Sequence, residues 1–162
     1  MTLSKMPMET EPPLSDVYKI WLIMGQVYNA MSRARENELR PLGITMIQAG
    51  VLWLLTGLGR PASPAELSVM LFRKHHSVSQ LLKRMEKQGL VERPLELQKS
   101  GAVRVVLTEK GRETLKQVYE IGTVIDDIMS GLTPEERRTL RSYLEKLHEN
   151  AFTQLVEKPP FP

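Results

Sequence analysis

The 162-residue chain contains no cysteine. Disulfides, thiolate metal sites and thiol redox switches are therefore excluded at the outset. A chain without thiols has no need of an oxidising compartment, which favours the cytoplasm. Long apolar runs are also missing: nothing approaches the roughly 18 residues of a membrane span. The opening stretch carries Lys5 but no apolar segment of signal-peptide length, so neither a membrane partner nor secretion is expected. No glycine-rich phosphate loop occurs. No Ser-His-Asp grouping or pair of carboxylates stands in a recognisable catalytic context, and Asp126-Asp127 reads as a solvated helix face. The histidines are His75, His76 and His148; adjacent residues point to different sides of a helix, so they chelate poorly. The expectation is a protein that is not an enzyme and that needs no cofactor and no metal. The nine methionines suit an oxidation sensor less well than core filling at helical spacing.

What is present is an uneven distribution of charge. The net charge is +3, but residues 60–112 hold eleven cations against five anions, a local +6 between mildly acidic flanks. A basic middle is the electrostatic footprint of a nucleic-acid reader, although an ordinary solvated surface can look the same.

Residues 1–14 include Pro7, Pro12 and Pro13, show no periodicity, and read as a flexible arm. Ser15 or Asp16 caps a helix whose Val17, Ile20, Trp21, Met24, Val27, Tyr28 and Met31 recur at helical spacing, with Leu22 and Ile23 adding apolar surface behind them. Pro41 and Gly43 end that segment. Thr45 caps a second helix with Ile47, Val51, Leu54 and Leu55 as its stripe, and Ser63-Pro64 starts a short third one with Leu67, Met70 and Leu71 inward. A fourth helix spans about residues 75–88, with Val78, Leu81, Leu82 and Met85 on one face and Gly89 as its stop. Residues 90–93 and 103–107 read as two short strands around a polar tip, Lys99-Ser100-Gly101. Thr108 caps a long helix with Leu115, Val118, Tyr119, Gly122, Ile125 and Met129 on one face. Thr133-Pro134 restarts the last, which buries Leu140, Tyr143 or Leu144, Leu147 and Ala151.

Two short helices joined by a tight turn and followed by a two-stranded hairpin make a winged helix-turn-helix. The fold class expected is mainly α with a small β-hairpin, flanked by long terminal helices. The second helix of such a motif anchors one face in the core and offers the other to the major groove. With Val78, Leu81, Leu82 and Met85 as anchor, the free face holds His76, Ser77, Ser79, Gln80, Lys83 and Arg84. Gln pairs with adenine and Lys or Arg with guanine, while Ser and His donate to phosphates.

The order of residues adds to this. Leu67, Val78-Ser79, Leu81-Leu82, Arg84, Glu86-Lys87, Gly89-Leu90-Val91 and Glu92-Arg93, followed by Leu107-Thr108-Glu109-Lys110-Gly111-Arg112, resemble the MarR family of bacterial regulators. Leu42-Gly43-Ile44-Thr45 with Gln48 resembles that family's approach to its second helix, and the likeness covers roughly residues 16–155. The resemblance implies a homodimer held by the first helix and the last two, with one reading helix and one wing per subunit on a pseudo-palindromic double-stranded operator. It also implies repression relieved by a small aromatic or anionic effector. The division of the chain is then a flexible arm at 1–14, a dimerisation region at 15–44 and 112–157, and a DNA-binding domain at 45–111. Independently, Trp21, Ile23, Tyr28, Ile125, Tyr143 and Leu144 lie on helices too apolar for one small core, which also points to a dimer. Trp21, Tyr28 and Trp53 are candidates for an effector pocket, with core packing as the competing reading.

The chain departs from the family pattern at two places. The family's wing carries an Asp-x-Arg motif where this chain has Lys99, Ser100 and Gly101, leaving Lys99 or Arg104 to approach the minor groove. Before the reading helix, Lys74 stands where a small capping residue is expected, in a turn made basic by Arg73, Lys74, His75 and His76. An alternative reading is therefore a winged helix used for protein–protein assembly without DNA. A third is a small-molecule binder that has lost DNA binding.

Overall fold

The computed structural model describes residues 15–95 and 103–157. The arm at 1–14, the hairpin tip with Lys99, and the proline-rich end lie outside them. Among the described residues the elements follow in order: α1 (Asp16–Leu39), a 3-10 turn (Arg40–Leu42), α2 (Met46–Leu58), α3 (Pro64–Met70), α4 (His75–Lys87), β1 (Val91–Glu92), β2 (Val106–Leu107), α5 (Glu109–Glu120), α6 (Val124–Met129) and α7 (Pro134–Glu157). The expected fold class is the one observed.

Helix starts are set by side-chain caps. Ser15, Thr45, Ser63 and Thr108 each accept a backbone N–H from the third residue on. Thr45 with Gln48 and Ser63 with Glu66 form reciprocal capping boxes, which satisfy donors that the helix leaves orphaned. Thr133 and Glu136 do the same for α7, at 2.8 Å and 3.2 Å. The α4 start has no side-chain cap, since Lys74 offers no acceptor.

The core is confined to the middle of the chain. Leu39, Val51, Leu52, Leu67, Val78, Leu82, Met85, Val91 and Val105 are fully buried, and the core reaches as far as Val118 in α5. Strand pairing is antiparallel, Val91 opposite Leu107 and Glu92 opposite Val106, and Ala62 bridges Val105 outside it. This three-segment contact ties the wing base to the turn before α3.

Several expectations are corrected. The strands are two residues each, because Val105 pairs with Ala62 rather than extending the hairpin. The long helix after Thr108 is two helices, broken between Glu120 and Val124. Met70 faces outward, since the seven-residue α3 turns only Leu67 and Ser68 fully into the core. Leu140, Tyr143, Leu144, Leu147 and Ala151 in α7 are exposed in the single chain, as are Trp21, Tyr28 and Trp53, so none of them belongs to this chain's own core. Periodicity marked the apolar faces correctly but not what covers them. Among the described residues no single helix is long and apolar enough to cross a membrane.

Candidate nucleic-acid interface

α4 is sharply two-sided. Val78, Leu81, Leu82 and Met85 are buried, while His75, His76, Ser77, Gln80, Lys83 and Arg84 are exposed and Ser79 is half-buried. Arg73 and Lys74, also exposed, lead directly into it. The structure thus brings the predicted residues from Arg73 to Arg84 onto one outward surface.

The turn before α4 has an unusual conformation. Phe72 adopts φ 53°, and its N–H donates to Val69 O (3.1 Å) while that of Arg73 donates to Ser68 O (2.9 Å). This closes α3 in the left-handed manner usual for glycine, and a phenylalanine there costs on the order of 1 kcal/mol. The Phe72 ring is exposed and sits 6.3 Å from that of Phe152 on α7. Nothing in the sequence pattern signals this conformation.

A hollow of about 470 Å³ lies between α3, α4 and the wing base, with Ser63, His75, Ser79, Lys83 and Arg93 among its lining residues. Sequence reasoning missed Ser63 and Arg93. Arg93 Nε stands 3.6 Å from Glu86 Oε2. The start of α3 and the end of β1 bring them to the same depression as the α4 face.

Arg104 is occupied differently from the expectation. Its guanidinium donates to Glu66 Oε2 at 3.1 Å, and Arg60 donates to Glu66 Oε1 at 2.9 Å. Glu66 also accepts the Ser63 amide at 2.7 Å. One carboxylate therefore caps α3, holds the turn after α2 and braces the wing strand. The Ser63 amide and the Arg60 guanidinium depress the Glu66 carboxyl to about 2 from an ordinary 4.5. A depressed folded-state value stabilises the fold above the ordinary value, and the benefit disappears as pH falls from about 4.5 towards 2. Comparing acid unfolding of wild type and Glu66→Gln should show that this component is missing from the variant, with the two curves converging at the acid end. Parallel curves down to the lowest pH would show that Glu66 carries no such linkage.

Trp21, Tyr28 and Trp53 are each more than half exposed, so the single chain does not enclose a ligand around them. Among the described residues no group of three or more His, Cys, Asp or Glu is placed to hold a metal ion.

Against this geometry the likeness to known proteins is specific. The MarR family profile matches residues 42–106, which run from the 3-10 turn through the wing. An organohalide-sensing transcriptional regulator, crystallised with 2,4-dichlorophenol bound, is 30% identical and superposes with a TM-score of 0.82 over 100% of this chain and 98% of its own. The chain belongs to the MarR family. Its similarity to other MarR proteins is of the same kind. MarR of Escherichia coli in complex with operator DNA is 25% identical, with a TM-score of 0.74 over 82% of this chain and 95% of that one. The HTH-type transcriptional regulator YfiV of Bacillus subtilis is 27% identical over 141 residues, 85% of this chain and 88% of its own length. MarR proteins are transcriptional regulators and not enzymes, and this chain is one of them.

Proposed function

We propose that the protein is a homodimeric repressor that reads a pseudo-palindromic DNA operator in the cytoplasm and is released by a small effector. The observation that carries the reading is α4, whose four apolar residues are buried while its polar and cationic face stands clear. One relative, the transcriptional repressor IacR of Pseudomonas putida (24% identical over 87% of this chain and of its own length), supports the sign of regulation. The dichlorophenol-bound neighbour supports an aromatic effector. In this reading residues 45–111 form the DNA-binding part, residues 15–44 with 112–157 form the dimerisation part, and 1–14 is an arm.

Gln80, Lys83 and Arg84 would face base edges or phosphates, and Arg73, Lys74, His75, His76, Ser77 and Ser79 the backbone. Lys99 is the wing residue left to approach the minor groove, because Arg104 is held by Glu66. Trp21, Tyr28 and Trp53 would line an effector cavity only where a second subunit closes over them. Selecting bound duplexes from a random pool, with and without chlorophenols, tests the whole reading; no binding to any duplex at low salt would refute it.

Single residues separate the roles. Gln80→Ala should cost about 1–3 kcal/mol and relax preference at one base position. Lys83→Ala and Lys99→Ala should weaken binding at all sequences and each lower the salt slope by about 1. Titrations over a range of salt check this, and unchanged slopes would remove both lysines from the phosphate contacts.

A further inference from the structure

The end of α1 holds two parts of the molecule at once. Glu36 Oε1 accepts the Met46 amide at 2.9 Å, the first residue of α2 and thus of the winged head. Two residues on, Glu38 Oε1 accepts the amides of Thr123 (2.8 Å) and Val124 (2.9 Å), where α6 begins. Arg35 is ion-paired with Glu38, and its Nη2 donates to Val118 O in α5 at 3.4 Å. The Arg35 and Glu38 side chains are only 16% and 14% exposed.

These contacts explain where the helix breaks. Had α5 run on, the amides of Thr123 and Val124 would have bonded to carbonyls one turn back. Glu38 accepts both instead, sharing the Thr123 amide with Ile121 O (3.0 Å), so the break occurs where α1 can reach it. Gly122 makes room for this: a Cβ there would lie 2.7 Å from Val118 O and 3.2 Å from Arg35 Nη1. Burial works against the charge on Glu38, but the Val124 amide, the Arg35 guanidinium and the Thr123 amide outweigh it and hold its carboxyl below the ordinary range.

We propose that Arg35, Glu38 and Gly122 form a joint that fixes the angle between the winged head and the α6–α7 arm, and so sets the half-site spacing a dimer accepts. The spacing consequence rests on the DNA-reading function proposed above; the joint itself does not. Geometry gives it leverage. α5 is about 18 Å long, so a tilt of roughly ten degrees at its end moves the other by about 3 Å. That is close to the rise of one base pair, and half-sites are read at fixed separations of about one helical turn. Arg35 and Glu38 are thus positioning residues, remote from the reading surface.

The absence of native cysteine allows a direct test. Lys87→Cys on α4 and Ser142→Cys on α7, both exposed in the single chain, carry spin labels. An excess of unlabelled chain limits the reading to distances within one chain. With Glu38→Ala the head-to-arm distance distribution should broaden about twofold. Glu38→Gln, which retains an acceptor oxygen, should fall between, and Gly122→Ala should shift the mean. On operators with half-sites moved by one base pair, Glu38→Ala should flatten the spacing preference about tenfold while non-specific binding at low salt stays unchanged. Distributions for both Glu38→Ala and Gly122→Ala that superimpose on wild type would overturn the joint. Broadened distances with an unchanged spacing profile would overturn its role in spacing. If the wild type binds no duplex, the DNA reading fails while the distances still decide the joint.

Discussion

Gly111→Ala should lower stability by about 3 kcal/mol or more, at the upper end of the range for overpacked sites. The sign makes this a sharp expectation. Gly111 lies within α5, and by intrinsic propensity alone alanine would favour the helix by about 1 kcal/mol. The structure predicts the opposite, because a Cβ would lie 2.1 Å from the carbonyl oxygen of Leu90 and 3.1 Å from its carbonyl carbon. The obstacle is backbone that cannot rotate away. It belongs to the segment between α4 and the wing, where Gly89 (φ 71°) turns the chain and its carbonyl accepts the Thr108 hydroxyl at 2.6 Å. Making room means moving α5 away from the wing base. Thermal unfolding should fall by roughly 6–12 °C, or the variant should fail to fold. Gly57→Ala in α2 is the control: nothing lies within 4 Å of its Cβ, so it should be neutral or stabilising by up to about 1 kcal/mol. A Gly111→Ala variant as stable as wild type would mean that α5 does not sit against Leu90 as described.

Leu144→Glu should convert the proposed dimer to single chains while leaving each chain helical. Leu144 lines a trough of about 660 Å³ on α7 with Met129, Leu140, Arg141 and His148 among its neighbours. In the single chain it is 44% exposed, and Arg141 and His148 lie three and four residues away on the same face. A carboxylate there is solvated, and the neighbouring charges, Arg141 paired with Glu145 at 2.8 Å and Glu149, are exposed to water as well, so the isolated fold should tolerate it. A two-fold interface is different. It would bury the new charge from both subunits, and an unpaired buried carboxylate costs several kcal/mol after relaxation. Dimer dissociation should therefore rise by about a thousandfold or more. Sedimentation and circular dichroism together check both halves, and operator binding should fall with the dimer. A variant that sediments as a dimer at the same concentration would place the α7 face outside the interface.

The two predictions mark what could and could not be read from the sequence. Caps were legible because they are local: Thr45, Ser63, Thr108 and Thr133 each act within three residues and are found where expected, and of Ser15 and Asp16 it is Ser15 that caps α1. The α4 face was legible for a related reason, since it is the complement of the anchoring stripe Val78, Leu81, Leu82 and Met85. The break before α6 was not read, although Gly122 is a local hint, because the group that takes the freed amides, Glu38, lies 85 residues upstream of Thr123. The tie between Arg104 and Glu66 spans 38 residues and was likewise hidden from local pattern. The faces of α1 and α7 were identified as apolar, but spacing alone could not say whether this chain or a second copy would cover them.

The confinement of the core to the stretch ending at Val118 bears on how the protein is made. Every buried apolar residue of the head is already synthesised before α6 and α7 leave the ribosome, so the head can fold on the nascent chain. Among the described residues α6 and α7 contribute nothing to that buried core, so in the proposed dimer they would wait for another copy. Early in expression, when copies are few, folded heads would therefore accumulate ahead of dimers. The arms' resistance to proteases would rise with expression level, while that of the heads would not.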